Sequence, residues 1–453
     1  MHAEPRATSL LFVNQHYYPD VASTGQHLTD LAEYLAAGGF EVAVLTGRGR
    51  YVAGRLPAPA HEVRNGVSIT RVRSTGFGRA SHVGRVIDYL TFYVRVCARL
   101  LGRRRYDGAI FLTTPPLMHF LGRLARVARA QRYGVWSMDL HPEAEIASGM
   151  LRRDGALARL LSWADRVGYR GADFVVDLGR HMKRRLVAMG VEPRRTHTVR
   201  VWSRAEEIEP IPPEANPLRR ELGLADAFVV MYSGNAGIVH DFDAILEAMR
   251  LLKDEPGLFF LFVGNGPQRR RIEAYAHTHA IRNFRYLDYF PRDRLRYSLS
   301  VGDAHLISLR PPFVGVSVPG KLYGIMAAGR PALFVGPAAS DTGETVIESG
   351  CGEVVDPASD AAGARVAATL RSWRDDPDAA RRLGAAGRRA FLAGYERVPN
   401  CEAFRDVIRQ AWAREAPALD AVDESITARR GAVVLTAVSD AAARVAPRPA
   451  DRR

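Results

Sequence analysis

Lysine is rare in this chain, and one of its three lysines stands where it could bind a phosphate. Of 63 basic residues among 453, all but Lys183, Lys253 and Lys321 are arginine. Lys321 lies in "SVPGKLYGIMAAGRP" (317–331), at the start of a short apolar helix opened by Pro319-Gly320. An ammonium group binds phosphate as a point charge, and the free N–H groups at a helix start add partial positive charge. The segment therefore predicts a phosphate contact at Lys321.

Glycine-rich loops in the same half of the chain strengthen this prediction. "YSGNAG" (232–237), "VGNGPQRR" (263–270) and "LRPPFVGVSVPGK" (309–321) each follow an apolar run that predicts a strand. Small residues at these turns let backbone amides approach a ligand closely. One such loop is more often a simple turn, but three at one sheet edge, together with a lysine, favour a diphosphate site.

Other phosphate and metal motifs are absent from the sequence. It contains no GxxxxGK[ST] loop and no GxGxxG spacing, which argues against a P-loop enzyme and against a dinucleotide-binding fold. "DFD" (241–243) resembles a metal-binding pair, but its place at a helix start favours Asp241 as an N-cap. No His or Cys cluster has zinc spacing. We expect neither a metal nor a cofactor.

The elements that must position these residues form two series of alternating strands and helices. The first series runs from 9 to 210 and the second from 227 to 357, and the proline-rich "IEPIPPEANP" (208–217) separates them. Continuous apolar strands alternating with amphipathic helices are typical of parallel sheets covered on both faces. Ligands of such sheets bind beyond the carboxyl ends of the strands. We therefore predict an α/β fold with two doubly wound, Rossmann-like domains facing a cleft.

The domain limits follow from the same pattern. We predict an N-terminal Rossmann-like domain over 1–207, a linker over 208–224 and a C-terminal Rossmann-like domain over 225–395. A helix over 396–415 could cross back to the first domain. The tail 416–453 is rich in Ala, Arg and Pro and is predicted to be disordered.

Composition limits the classes of function. The net charge of +14 predicts a polyanionic neighbour, although an arginine-rich genome with basic surfaces would give the same value. No nucleic-acid recognition motif is present, so we expect no nucleic acid. Cys97, Cys351 and Cys401 are too few and too far apart for a disulfide framework, which favours a reducing cytoplasm. No apolar stretch is long enough to predict a membrane span.

Five segments together resemble the family-4 retaining glycosyltransferases of GT-B fold. They are "FVNQHYYPDVASTGQHLTDLAEYLAAGGFEVAVLTGR" (12–48), "DLHPE" (139–143), "YSGNAGIVHDF" (232–242), "VGNGPQRRRIE" (263–273) and "PGKLYGIMAAGRP" (319–331). The resemblance runs in order from about residue 9 to 410. It is strongest to the branch that makes bacterial surface polysaccharides, similar to the N-acetyl-fucosaminyl transferases of O-antigen synthesis.

The resemblance implies a reaction and its partners. A nucleoside-diphosphate (NDP) sugar would be held mainly by the C-terminal domain, and a saccharide or polyprenyl-diphosphate-linked acceptor by the N-terminal domain. The sugar would be transferred with retention of its anomeric configuration and without a metal, because helix dipoles and basic side chains offset the charge of the leaving diphosphate.

The resemblance also assigns site residues by position. Asp139, His141 and Glu143 match the branch's D-L-aromatic-P-E, with histidine in place of the aromatic residue. They are the candidate catalytic residues, which would orient the acceptor hydroxyl or the donor sugar; a strand-end cap and a helix N-terminal charge explain the two acids equally well. The matching donor-binding positions are Thr24, Gly25, Asn235, Gly237, His240, Gly264, Gly266, Asp288, Tyr289, Lys321 and Leu322.

This sequence departs from the family pattern at two places. Many members carry two glutamates eight residues apart, which contact the donor sugar and the ribose. Here these positions are Val316 and Gly324, and neither side chain can accept a hydrogen bond. His240 stands near the place of the family's usual first-loop lysine. Lys321 is therefore expected to carry more of the diphosphate charge than in other members.

A basic and apolar stretch, 78–108, predicts contact with a membrane surface. Too charged to span a bilayer, it suits an anionic leaflet, or else a helix packed on the first sheet with solvated arginines. Its apolar stripe is Ile87, Leu90, Val94, Cys97 and Leu101. We expect a cytoplasmic protein that is peripheral on the inner face of the cell membrane.

Two other functions remain open at this point. The missing glutamates would suit a catalytically idle homologue that acts as a scaffold. A nucleotide-sugar epimerase of the same fold would need a pair of acids in the cleft and no lipid-linked acceptor.

Overall fold

The computed structural model describes residues 7–20, 22–48, 58–73, 75, 82–102 and 104–412. The predicted tail 416–453 lies outside these residues. Two sheets and the helices around them belong to one compact body that extends to Ala411. The predicted α/β class with two Rossmann-like sheets is confirmed.

The first sheet has the strand order β3-β4-β2-β1-β5-β6-β7-β8, and all pairs except β3–β4 are parallel. Its strands are β1 (Ser9–Val13), β2 (Glu41–Gly47), β3 (His61–Arg64), β4 (Val67–Val72), β5 (Gly108–Leu112), β6 (Tyr133–Trp136), β7 (Val175–Asp177) and β8 (Thr196–Thr198). Its helices are α1 (Ser23–Ala37), α2 (His82–Leu100), α3 (Met118–Arg129), α4 (Glu143–Ser148), α5 (Ala156–Arg170) and α6 (Arg180–Ala188).

The second sheet is parallel throughout, with the strand order β11-β10-β9-β12-β13-β14. Its strands are β9 (Phe228–Ser233), β10 (Leu258–Val263), β11 (Phe284–Leu287), β12 (Ala304–Ser308), β13 (Ala332–Val335) and β14 (Gly352–Val355). The helices of this half are α7 (Pro217–Glu221), α8 (Asp243–Leu251), α9 (Arg269–Thr278), α10 (Leu295–Leu299), α11 (Lys321–Ala327), α12 (Asp341–Ser349), α13 (Ala362–Asp375), α14 (Pro377–Gly394) and α15 (Arg397–Trp412).

The strand order fixes where a ligand can bind in the second sheet. From β9 the chain moves outward to β10 and β11, and then returns to place β12 on the other side of β9. The connections after β9 and β12 therefore leave the sheet in opposite directions and open a crevice at the carboxyl ends of the two strands. Both of these loops carry residues predicted to bind the donor.

Two stretches of chain join the halves, and they lie side by side. The first follows β8, and the second joins α14 to α15. The backbone N–H of Ser203 donates to the carbonyl of Tyr395 over 3.2 Å, and Ser203 also forms a β-bridge with Glu396.

Helix α15 packs against the first sheet, although it follows the second sheet in the chain. Phe404 is fully buried, and its ring centroid lies 4.9 Å from that of Trp136 in β6. On the same helix Glu402 accepts a hydrogen bond from the hydroxyl of Tyr34 in α1. The last helix therefore contributes to the core of the first sheet.

Replacing Phe404 with Ala should lower the free energy of unfolding by about 3–5 kcal/mol, because a buried aromatic side chain leaves a cavity in a close-packed core. Urea denaturation followed by circular dichroism measures this change. Leu392→Ala on α14 is the control, since Leu392 is 50% exposed and should change stability little. Equal losses in the two variants would contradict the packing of α15.

Candidate functional site

The loops after β9 and β10 touch each other through their backbones at the carboxyl edge of the second sheet. Gly264 and Gly266 both have φ of 139°, and Gly234 has φ of 134°, a region that favours glycine. A Cβ at Gly264 would collide with the carbonyl of Gly234, and one at Gly266 with the backbone of Ala236. The glycines therefore allow a close approach of two loops, and they leave backbone groups at the mouth of the crevice.

Lys321 points into this crevice from the start of α11. Its ammonium donates to the hydroxyl of Tyr232 over 2.6 Å and lies 3.2 Å from Nε2 of His240. It also stands over the Tyr232 ring, 4.1 Å from the ring centroid. Nδ1 of His240 donates to the carbonyl of Ser308 over 2.6 Å, so Nε2 of the neutral imidazole carries the lone pair that faces the ammonium.

The charge of Lys321 is not neutralised within the site. Among the described residues, no carboxylate forms an ion pair with it. Burial lowers the pKa of Lys321 to about 7. Burial, followed by the nearby Lys321, also holds the pKa of His240 well below its ordinary value. A bound anion would favour the charged form of Lys321, so the crevice is suited to a phosphate group.

The loop after β6 brings the first sheet to the same place. The N–H of Leu140 donates to the carbonyl of Val316 over 2.9 Å, and Asp139 forms a β-bridge with Ser317. The Asp139 carboxylate is hydrogen bonded by the Ser317 side chain. An acid of the first sheet therefore contacts the loop that leads to Lys321, four residues further on.

Burial raises the pKa of both acids in this loop. For Asp139, burial outweighs the opposing effects of His141 and Ser317. For Glu143, burial and the neighbouring Asp165 raise the pKa, and its Oε2 is buried without a hydrogen-bond partner. A buried carboxyl group with a raised pKa and a free oxygen suits proton transfer or the orientation of a hydroxyl.

For His141 the neighbouring acids, and not burial, determine the direction in which the pKa shifts. Burial lowers its pKa, but the hydrogen bond to Glu145 and the charges of Glu145 and Asp139 outweigh burial, so its pKa is raised. Nδ1 of His141 lies 2.8 Å from a carboxylate oxygen of Glu145. The imidazole is thus held by Glu145 of α4, and the charge of Asp139 acts on it.

The other predicted positions surround this centre or lie at its edge. Asn235 is exposed, Gly237 is buried in the loop after β9, and Thr24 and Gly25 begin α1 at the carboxyl edge of the first sheet. Asp288 and Tyr289 are exposed beyond β11.

Leu322, a predicted donor-binding residue, follows Lys321 in α11, and its side chain is fully buried in the core. A contact of its backbone with the donor stays a prediction.

Two residues of the site escaped the sequence analysis. Tyr232 holds the ammonium of Lys321, and its position as a polar residue near the end of an apolar strand was the available signal. Arg185 of α6 donates to the carbonyl of Val314 over 2.7 Å and lies near Glu143. Nothing in the local sequence of α6 indicates this contact across the crevice.

Among the described residues, no group of three or more His, Cys, Asp or Glu side chains is arranged to hold a metal ion. The expectation of a metal-free reaction stays a prediction.

Two parallel sheets with carboxyl edges at a common crevice form the GT-B fold of glycosyltransferases, and comparison with solved structures confirms it. Sucrose-phosphate synthase from Thermosynechococcus elongatus superimposes with a TM-score of 0.70 at 17% identity, covering 90% of this chain and 99% of that one. HepE of Anabaena, solved with UDP and glucose, gives a TM-score of 0.66 at 13% identity, covering 89% and 100%. WaaG, a glycosyltransferase involved in lipopolysaccharide biosynthesis, gives 0.62 at 15% identity, covering 88% and 98%.

Sequence comparisons agree with the fold. Residues 24–202 match the family described as "Glycosyl transferase 4-like domain". A candidate colanic acid biosynthesis glycosyl transferase, WcaI of Escherichia coli (strain K12), is 26% identical over 346 residues, which cover 74% of this chain and 85% of WcaI. A candidate glycosyltransferase of Pseudomonas aeruginosa, WbjE, is 27% identical over 270 residues, which cover 60% of this chain and 66% of WbjE. The match of residues 24–202 makes the first half of this chain similar to a glycosyl transferase 4-like domain.

Replacing Lys321 with Met should make folding stability less dependent on pH. The pKa of Lys321 is about 7 in the folded protein, against an ordinary value of 10.5, so between these values the unfolded chain binds the proton more tightly. The contribution of Lys321 to the free energy of unfolding of the wild-type protein therefore rises as the pH increases from 7 towards 10. The Met variant should be most stable relative to wild type near the lower end of that range.

Thermal unfolding of both proteins across this pH range measures the difference. Lys253→Met is the control, since Lys253 lies on the loop after α8 outside the crevice. A stability difference between Lys321→Met and wild type that stays constant with pH would contradict the buried ammonium.

Proposed function

We propose that this chain is a glycosyltransferase that transfers a sugar, with retention of configuration, from an NDP-sugar to a saccharide acceptor. The observation that carries this proposal is the crevice itself. There the ammonium of Lys321, which pairs with no carboxylate among the described residues, lies beside the glycine loops of the second sheet. Asp139 of the first sheet contacts the loop that leads to Lys321.

The donor would bind with its diphosphate against Lys321. The ammonium, freed from a neutral tyrosine hydroxyl and a neutral imidazole, would meet the developing negative charge of the leaving nucleoside diphosphate. This arrangement requires no metal ion. The solved relative HepE holds UDP and glucose, which supports a nucleotide-sugar donor here.

The first sheet would supply the groups that orient the reacting hydroxyl. Val316 leaves the sugar-facing loop without a carboxylate of its own, and Asp139 is the acid that reaches this loop. Glu143 offers a carboxylate oxygen without a hydrogen-bond partner, and the charge of Asp139 acts on the imidazole of His141. Attack and departure on the same face of the sugar would give retention without a protein nucleophile.

The acceptor would be a lipid-linked saccharide of bacterial surface polysaccharide synthesis. WcaI is assigned to colanic acid biosynthesis and WaaG to lipopolysaccharide biosynthesis, and both names support this class of product.

The two other readings make different predictions. A catalytically idle homologue would bind a nucleotide and release none in the presence of acceptor. An epimerase would convert its NDP-sugar with no acceptor present. Acceptor-dependent release of nucleoside diphosphate separates transfer from both.

Lys321→Ala should lower the affinity for the nucleoside diphosphate by about 10- to 100-fold, because loss of a charged contact costs about 1.5–3 kcal/mol. Isothermal titration with UDP, GDP and dTDP identifies the base, and release of the nucleoside diphosphate measures turnover. Lys253→Ala, which removes a lysine outside the crevice, should leave both unchanged. Near-normal affinity and turnover in Lys321→Ala would refute the donor site.

Helix α2 supports a peripheral membrane location on the cytoplasmic face. No helix in the described ranges is long and apolar enough to cross a bilayer. Phe92 and Val96 bury one face of α2 on the protein, whereas Leu90 and Val94 are 57% and 69% exposed. Exposed apolar side chains beside arginines suit the interface of an anionic leaflet. Of the predicted stretch 78–108, residues 78–81 and 103 lie outside the described residues.

Replacing both Leu90 and Val94 with Ser should weaken binding to vesicles that contain anionic lipid, because the apolar side chains that enter the interface are lost. Vesicle flotation with and without phosphatidylglycerol measures this binding. Ile347→Ser on α12 is the control, since Ile347 is 58% exposed in the other half of the protein. Wild-type protein that floats with neither vesicle type would refute the membrane contact.

A further inference from the structure

A cavity that Lys321 does not line lies in the first half of the protein. It has a volume of about 520 Å³ and lies between α4 and α5. Glu143, the first residue of α4, lines it together with Trp163. Glu143 is also the acid with a free carboxylate oxygen, so the cavity begins where the acceptor hydroxyl would be oriented.

Four arginines line this cavity. Three of them share one face of α5, because spacings of seven and four residues return to the same side of a helix: Arg159, Arg166 and Arg170. The fourth, Arg153, comes from the turn before that helix. The volume is large enough for a phosphorylated sugar, and its wall is strongly positive.

Three of these four arginines, Arg153, Arg159 and Arg166, have no hydrogen-bond or ion-pair partner in the described part of the chain, whereas Arg170 donates to the carbonyl of Met189 over 3.0 Å. Asp165, the acid within α5, is fully buried against His119. Glu143 is the acid that lines the cavity, and the charge of Arg166 acts on it. Guanidinium groups without protein partners around one cavity favour the binding of a polyvalent anion.

The rim of the cavity is apolar on its outer side. Trp163 is 57% exposed, and Leu160 and Leu157, one and two turns earlier on α5, are 59% and 55% exposed. A ligand that fits this surface has an anionic group for the arginines and an apolar portion for the rim.

We propose that this cavity binds the diphosphate of the acceptor, an amphiphile with a diphosphate headgroup and an apolar tail, so that its sugar reaches Glu143. The acceptor role rests on the proposed glycosyl transfer. The diphosphate site itself rests on the cavity and its four arginines. Arg159 and Arg166 hold the phosphate oxygens, Trp163 and Leu160 contact the start of the tail, and Glu143 orients the hydroxyl that is glycosylated.

The test measures binding of three probes at physiological ionic strength by isothermal titration. Farnesyl diphosphate carries both the headgroup and a tail, inorganic diphosphate carries the headgroup alone, and glucose 1-phosphate represents a soluble sugar phosphate. Wild-type protein should bind farnesyl diphosphate more tightly than either of the other two. Equal or tighter binding of glucose 1-phosphate would overturn the lipid-linked acceptor in favour of a soluble one.

The double variant Arg159→Ala/Arg166→Ala should lower the affinity for farnesyl diphosphate and for inorganic diphosphate by about 10- to 100-fold. Trp163→Ala should weaken only farnesyl diphosphate. Arg365→Ala is the matched control, since Arg365 on α13 is exposed and has no side-chain partner among the described residues. Unchanged binding by the double variant, or an equal loss in Arg365→Ala, would overturn the proposal.

Measurements at the donor site distinguish the proposed diphosphate cavity from the proposed glycosyl transfer. Lys321→Ala should retain farnesyl diphosphate binding, and Arg159→Ala/Arg166→Ala should retain binding of the nucleoside diphosphate, which also shows that the double variant is folded. If acceptor-dependent turnover is never found but the arginine-dependent binding is, the transfer fails and the diphosphate site stands. If farnesyl diphosphate binding depends on Lys321 instead of the arginines, the cavity proposal fails and the donor site stands.

Discussion

The backbone contact between Leu140 and Val316 is the constraint on which the rest of the site depends. Each residue lies beyond the carboxyl end of a strand in a different sheet, and the hydrogen bond between them fixes the distance between the two loops. Neighbouring contacts support it, since Arg185 donates to Val314 and Asp341 accepts from the N–H of His181. This contact between the two loops, called the seam below, brings Asp139 of the first sheet close to Lys321 of the second.

Lys321 and Asp139 lie on the two sides of the seam and do not form an ion pair with each other. Pairing of Lys321 with Asp139 would neutralise the site and leave little attraction for an anion. Instead, Lys321 faces a neutral hydroxyl and a neutral imidazole, and Asp139 faces Ser317. Keeping a lysine uncharged or unpaired costs folding stability, and such costs are concentrated where a ligand completes the interaction.

Much of the fold could be predicted from the sequence, because a buried parallel strand is apolar along its whole length and the helices between strands are amphipathic. The position of Lys321 at the start of a helix beside glycine-rich loops could also be read from the sequence, and its contact with a phosphate stays a prediction. In contrast, the hydroxyl of Tyr232 can accept a hydrogen bond from Lys321 only when β9 and α11 are brought together. Arg153 and Arg159 line one cavity only when α4 packs beside α5. Periodicity identifies the face of a helix but not the element that will cover it.

The two paired chain crossings at Ser203 and Tyr395 have a mechanical consequence. A single connection would allow the halves to twist as well as bend, whereas two adjacent strands bonded to each other restrict motion to bending about their common axis. The seam at Leu140 and Val316 is a separate junction between the two halves. Opening would therefore break one backbone hydrogen bond and a few polar contacts while α15 stays packed on Trp136. The ion pairs of Arg180 and His181 with Glu344 would have to break in the same step, so the junction at the crevice is held by polar contacts and the junction at α15 by buried aromatic rings.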